Sequence, residues 1–215
     1  MVFAHGLEGT TGHAEWLDGR PSAYSTEEDG SLSLTTSPGT DWWTFPGHNA
    51  TNGPAYVTTV SESHIHHDFV ASLLIDGNWI QQYDQGTLFL HLTTNEETKW
   101  IKAGVERENE FNYISAVVTQ KYSDWSILSP PPALDLSNQA IRIYAERKKG
   151  DLVISFGSKE STHETSTMMR EVKGFFHDLK IRSFNIGAMA CSPSKLKGVS
   201  VLFSDFRLEW RDSDE

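Results

Sequence analysis

Short runs of alternating side chains, separated by turn residues, occupy most of this chain and limit what it can fold into. About ten runs are rich in β-branched and aromatic residues, among them AYVTTVS, DFVASLLID, TLFLHLTT, KWIKAGVE and YISAVVTQ, as is typical of strands. Helical periodicity is weak; the best candidate, TMMREVKGFFHDL, is interrupted by Gly174 and predicts one or two helical turns. The sequence therefore predicts an all-β fold of two packed antiparallel sheets, a sandwich or jelly roll.

The size of the chain favours a single domain. Its 215 residues are 38% hydrophobic, enough to bury one substantial core. The polar first thirty residues predict a loosely packed arm at 1–30, followed by one domain at 31–215. Three long connections, at 38–54, 121–138 and 157–180, are expected at one rim of the sandwich. The first contains Trp42 and Trp43, which we expect to form a lid over a groove or a plug at its end.

The charge and the cysteine content of the chain indicate which partners it avoids and in which cellular compartment it is found. Lys and Arg total 18 against 29 Asp and Glu, so a net charge of −11 argues against binding nucleic acid or an anionic membrane. No cationic and apolar leader opens the sequence, and no apolar run approaches the ~18 residues that span a bilayer. The single cysteine, Cys191, suits a reducing compartment. We therefore predict a cytoplasmic location.

The run KWIKAGVE has one face that is unusual for a buried strand. Ile101, Ala103 and Val105 form an ordinary core face, whereas an aromatic, a cation and a carboxylate share the opposite face. An aromatic floor with a few convergent polar groups is typical of sites for sugars and other small polar ligands. The alternative is that these charges only neutralise one another in a half-buried sheet.

Neighbouring motifs extend this face into a predicted cleft. YDQ and SDWS lie at the ends of strand-like runs, so their carboxylates Asp84 and Asp124 are expected to reach the groove and to pair with Lys102 or Arg142. At roughly 3.3 Å per residue, Lys102 and Glu106 are about 13 Å apart along the strand and each needs another partner. The predicted ligand-binding residues are Asp84, Gln85, Trp100, Lys102, Glu106, Asp124, Trp125 and Arg142.

Catalytic and metal motifs are weak in this sequence. A glycosidase needs two carboxyl groups about 5–9.5 Å apart, and Glu106 with Asp84 or Asp124 is the candidate pair. His64 and His66 have metal-ligand spacing but no third ligand nearby. Phosphate-binding loops and a G-x-S-x-G motif are absent from the sequence. We therefore predict no metal and no cofactor.

The motifs YDQGTLFLHL, KWIKAGVE, VVTQKYSDWS, IGAMACSP and GVSVLFSDFRLEW, in this order, carry a resemblance. From about Ser31 to Trp210 the chain resembles a family of concanavalin A-like jelly rolls whose fungal members are called regulation-of-enolase proteins. The resemblance implies an antiparallel sandwich of the lectin/glucanase type with a concave face. It also implies an intracellular protein linked to control of a glycolytic enzyme, without established catalytic activity.

Two classes of function follow from these observations. The first is a non-catalytic, lectin-like binding or regulatory protein. It would bind a small polar or saccharide ligand in a concave groove, a partner such as enolase or another glycolytic enzyme, or both. The second is a carbohydrate-active enzyme that uses Glu106 with Asp84 or Asp124. We favour the first, because likeness of fold alone is a weak argument for catalysis.

Overall fold

A computed structural model describes residues 8–177 and 179–211 of the chain. Over these residues it contains sixteen strands and no α-helix. The strands are β1 (Thr10–Trp16), β2 (Ala23–Thr26), β3 (Leu32–Thr35), β4 (Trp42–Phe45), β5 (His48–Thr51), β6 (Ala55–Val60), β7 (Asp68–Gly77), β8 (Gln85–Thr93), β9 (Thr98–Glu108), β10 (Phe111–Thr119), β11 (Ser123–Leu128), β12 (Ile141–Lys148), β13 (Asp151–Ser158), β14 (Thr167–Val172), β15 (Ser183–Cys191) and β16 (Ser200–Arg211). A search of the same residues for a helix long and apolar enough to cross a membrane finds none.

Two seven-stranded antiparallel sheets form the sandwich. The front sheet has the order β1-β6-β15-β8-β9-β10-β11, and the back sheet has the order β14-β13-β12-β7-β16-β3-β2. Some neighbouring strands are far apart in the chain, such as β6 and β15 or β7 and β16, because the chain crosses between the two sheets at several connections, as in a jelly roll. The predicted all-β, two-sheet antiparallel fold is confirmed.

The core lies between the inner faces of the two sheets. Ile101 and Val105 of β9 face this core and are each 1% exposed, as the alternation of KWIKAGVE predicts. Ile141 and Ile143 of β12 enter it from the back sheet and are equally buried. The opposite face of β9 therefore belongs to the outer surface of the front sheet.

The segment predicted as a short helix forms a strand instead. Thr167–Val172 is strand β14, which pairs with β13 from Leu152 to Phe156. Pairing with a neighbouring strand supplies the backbone hydrogen bonds that an isolated helical turn would need. Gly174 follows the strand with a φ of +67°, a left-handed conformation that also ends regular structure.

The described part of the predicted N-terminal arm contains two strands. Strand β1 pairs with β6 at one edge of the front sheet, and β2 pairs with β3 at one edge of the back sheet. All four residues of β2 are exposed. Residues 1–7 of the predicted arm and residues 212–215 of the predicted domain lie outside the described residues.

A separate hairpin, β4–β5, covers part of the outer face of the front sheet. Its first residue, Trp42, is 1% exposed and packs against Phe89, His91 and Trp100, with ring centroids 4.8, 5.8 and 5.7 Å away. The Trp42 indole nitrogen donates to the Gly53 carbonyl oxygen at 2.8 Å. Trp42 is therefore a plug rather than a movable lid.

Candidate functional site

Beside this hairpin, the outer face of the front sheet contains a cavity of about 300 Å³, which we call the front cavity. Strands β8, β9 and β11 contribute half of its lining residues, and the connections between strands contribute the rest together with the hairpin. The lining residues are Asp41, Trp43, Tyr83, Gln85, Lys102, Glu106, Trp125 and Pro193.

Lys102 is the buried cation of the front cavity. Its side chain is 2% exposed, and its Nζ atom lies 3.1 Å from Asp41 Oδ1. The same carboxylate oxygen accepts a hydrogen bond from the Cys191 thiol at 3.7 Å. Burial by itself lowers the pKa of Lys102, but the nearby carboxylates of Asp41 and Glu106 raise it, so this pKa lies above its ordinary value. Lys102 is therefore charged at neutral pH.

Glu106 is held by three hydrogen-bond donors. Its Oε2 atom accepts from Ser115 Oγ at 2.5 Å and from Trp125 Nε1 at 2.9 Å. Its Oε1 atom accepts from Gln85 Nε2 at 3.1 Å. Burial raises the pKa of Glu106, although Lys102 and the Ser115 hydrogen bond act in the opposite direction. The carboxyl group therefore has a fixed orientation and takes up a proton at higher pH than an exposed glutamate does.

Aromatic side chains line the cavity on three sides. The rings of Tyr83 and Trp125 meet edge to face, with centroids 6.3 Å apart and planes at 78°. Tyr83 has a φ of +64°, a left-handed backbone conformation that is uncommon for a large residue. Its amide nitrogen donates to the Arg107 carbonyl oxygen at 2.7 Å, which holds this conformation in place. Trp43 lines the cavity from the hairpin.

Gly104 explains how Lys102 and Glu106 serve one cavity although they are far apart along β9. It lies between them on the same strand, and a Cβ atom there would lie 2.0 Å from the Gly86 carbonyl oxygen. Strand β8 approaches β9 too closely at this point for any other residue. The same glycine puts no side chain between the lysine and the glutamate on the face of β9 that lines the cavity.

The family of the chain follows from a comparison with models of protein families. The model of the family described as "Protein of unknown function (DUF1349)" matches residues 16–210. The chain belongs to this family. Regulation of enolase protein 1 of Saccharomyces cerevisiae is 27% identical to this DUF1349 chain over 195 residues, which cover 90% of the chain and 87% of the relative.

Solved structures share the fold of this DUF1349 protein. A functionally unknown protein from Saccharomyces cerevisiae aligns with a TM-score of 0.74 at 24% identity, covering 92% of this chain and 96% of the other. The GH43 protein BlXynB (K247S mutant) from Bacillus licheniformis aligns with a TM-score of 0.62 at 16% identity, covering 89% of this chain and 36% of the other. The alginate lyase from Klebsiella pneumoniae aligns with a TM-score of 0.56 at 7% identity, covering 90% of this chain and 85% of the other. At these identities the likeness shows the fold alone.

Four of the eight predicted site residues lie together in the DUF1349 front cavity, namely Gln85, Lys102, Glu106 and Trp125. Trp100 does not join them, because Trp42 covers it. It lines a second cavity of about 290 Å³ on the other side of Trp42, together with His91. His91 Nδ1 is buried and has no hydrogen-bond partner among the residues that the structure describes, and burial lowers the pKa of His91.

Asp84 supports the front cavity from behind instead of lining it. Its Oδ2 atom accepts hydrogen bonds from the amides of Ile80 and Gln81 at 2.9 and 2.7 Å. Its Oδ1 atom accepts from Ser192 Oγ at 2.5 Å. The side chain is therefore used to fix the connection from β7 to β8, which carries Tyr83, and the predicted cleft is corrected at this position.

Asp124 and Arg142 also lie away from the front cavity. Asp124 and Trp125 are consecutive on β11, so their side chains point to opposite faces. The Asp124 carboxylate is 69% exposed and pairs with Arg170 at 2.6 Å. Arg142 belongs to β12 of the back sheet and pairs with Asp205 at 2.6 Å. Strand alternation and sheet order thus remove both residues from the predicted cleft.

Three lining residues were not predicted from the sequence, namely Asp41, Tyr83 and Pro193, and Trp43 was expected only as a lid or a plug. All four lie in or beside the connections between strands, where period-two alternation carries no information. Asp41 matters most, because it provides the ion pair that Lys102 was predicted to find at Asp84 or Asp124. The only sequence signal was the length of the connection 38–54, which favoured a location at a functional rim.

Proposed function

We propose that this protein is a non-catalytic, lectin-like binding protein whose front cavity holds a small saccharide or a similar polyhydroxylated ligand. The observation that carries the proposal is the combination of the Tyr83 and Trp125 rings with a buried lysine and a fixed carboxyl group in one cavity. Aromatic faces pack against the apolar faces of sugar rings, and the charged groups accept and donate hydrogen bonds to hydroxyl groups.

The hydrogen bonding of Glu106 favours binding over catalysis. Both of its oxygens are occupied by donors from Gln85, Ser115 and Trp125, which suits a group that orients a ligand. Neither carboxylate that the sequence suggested as its catalytic partner lines the front cavity. A bound ligand would therefore meet a preorganised polar surface.

Glycoside hydrolysis is the second candidate function, because one observation favours it. Asp41 places a second carboxylate in the front cavity, and burial raises the pKa of Glu106, as is usual for a general acid. Incubation with xylosides, arabinosides and glucosides distinguishes the two functions. Product formation that is lost in Glu106→Gln would establish the enzyme, and binding without product supports the proposal.

Titration of a sugar panel tests the binding proposal. We expect xylose, arabinose, glucose or mannuronate to give saturable binding by calorimetry and ligand-observed NMR, and Trp43→Ala to abolish it. The matched control is Tyr24→Ala, which removes an aromatic ring that is 59% exposed on strand β2 of the back sheet. No saturable binding across the panel, or equal losses in both variants, would contradict the proposal.

The proposal extends to control of an enzyme in the cytoplasm. One relative is named Regulation of enolase protein 1, and the net charge of −11 favours contact with a basic protein surface. Association with purified enolase should then be measurable at low salt and weaken towards physiological salt, because exposed charges are screened. A pull-down that captures no enolase at low salt would argue against direct contact.

A further inference from the structure

The β4–β5 hairpin lies across the strands of the front sheet. Its base is fixed near β15, where the amides of Gly39 and Thr40 donate to the Ser192 carbonyl oxygen at 2.8 and 3.0 Å. Its first strand reaches β11, where the amide of Thr44 donates to Ser123 Oγ at 2.9 Å. Strands β8, β9 and β10 lie between β15 and β11 in this sheet. The hairpin therefore fills the path that a long ligand would take across these strands.

The front cavity consequently has a wall on each of its four sides. Across the strands, Pro193 follows β15 on one side and Trp125 lies on β11 at the other. Along the strands, Trp43 of the hairpin closes one side, and Tyr83 stands at the opposite side, before the start of β8. The cavity is a cup, open outward, and not a groove that is open at both ends.

The volume of the cup limits what can enter it. About 300 Å³ lies at the lower end of the range of about 300–1,000 Å³ that small-molecule sites cover. Asp41 bonds Lys102 and immediately precedes the buried Trp42, so the hairpin wall is held by an ion pair and a packed ring. Moving this wall aside would separate the ion pair and expose Trp42.

From these contacts we infer that the front cavity selects a single sugar or the end of a saccharide chain, and excludes internal segments of linear glycans. This inference rests on the proposed function, since it specifies which saccharides the same cavity accepts. The β4–β5 hairpin then determines which saccharides the cavity accepts. Its residues form one wall of the cup and cover the remainder of the predicted groove.

Chain length and the presence of chain ends test the inference. Wild-type protein is titrated by calorimetry with xylose, xylobiose and xylohexaose, with glucose, maltose and maltohexaose, and with α-cyclodextrin, which has glucose units but no end. In the series that binds, we expect the dissociation constant per mole of chain to change by less than about twofold from the disaccharide to the hexasaccharide. We expect no binding of α-cyclodextrin.

Two results would overturn the inference while leaving saccharide binding intact. One is an affinity per mole of saccharide that rises steadily with saccharide length beyond the disaccharide. Each added internal sugar unit would then offer the protein another position at which to bind. The other is binding of α-cyclodextrin with the affinity of maltohexaose. Failure of every sugar in both series and in the wider panel removes the proposed function, and the inference falls with it.

Discussion

Replacement of Lys102 by methionine tests the electrostatic account of the front cavity. Lys102→Met approximately preserves the volume of a side chain that is 2% exposed, and removes its charge. Asp41 then loses its ion-pair partner, and Glu106 loses the cation that lowers its pKa. The expected result is a clear loss of folding stability at neutral pH.

The size of this loss follows from the burial of the pair. Removing one partner of a buried ion pair costs about 3–5 kcal/mol. The Asp41 side chain is 23% exposed and can be hydrated in the variant, and Glu106 keeps its three donors. We therefore expect a loss of about 2–3 kcal/mol, below the fully buried range. For a domain of this size, that corresponds to a fall in Tm of about 4–12 °C.

The sign of the pH dependence provides a second readout. Without Lys102, the pKa of Glu106 rises further, and a protonated Glu106 requires no counter-charge. A raised folded-state pKa contributes stability at low pH that is lost as the pH rises through that pKa. The loss caused by Lys102→Met should therefore be larger at neutral pH than at mildly acidic pH.

Urea unfolding at the two pH values measures these effects. Adding Glu106→Gln to Lys102→Met should recover part of the stability at neutral pH, because it removes one of the two carboxylates that have lost the nearby charge of Lys102. Lys173→Met is the matched control. The Lys173 side chain is 71% exposed and forms ion pairs at the surface, so its replacement should change the free energy of unfolding little. A loss that is independent of pH and not relieved in the double variant would refute the reasoning.

Three further predictions concern the framework around the cavity. Between neutral and mildly acidic pH, the Tm of His91→Phe should fall less than the Tm of the wild-type protein. Burial lowers the pKa of His91, so the stability that its neutral side chain contributes is complete above the ordinary pKa of 6.5. That stability is lost as the pH falls through the lowered pKa. Gly104→Ala should cost about 1–3 kcal/mol or more in urea unfolding, because the new Cβ would clash with the Gly86 carbonyl oxygen; unchanged stability would contradict the close approach of β8 to β9. Arg170→Ala should cost no more than about 1 kcal/mol and leave sugar titrations unchanged, because its partner Asp124 is largely exposed and lies outside the cavity.

The sequence by itself determined most of the long strands and the face that each of these presents to the core. In KWIKAGVE, alternation with a period of two is a steric property of the extended backbone, so Ile101 and Val105 had to point away from Lys102 and Glu106. The same local rule identified the face of β9 that lines the front cavity. It needed no knowledge of which strands are neighbours.

Only the tertiary structure decided which partners these side chains meet. Arg142 was expected beside Lys102, yet the sheet order places β12 in the other sheet. Asp84, a plausible counter-ion in the sequence, is used by backbone amides of its own connection. Asp41 instead reaches Lys102 from a connection that crosses the front sheet. Alternation operates between adjacent residues, whereas the position of a returning connection depends on the packing and hydrogen bonds of residues far apart in the chain.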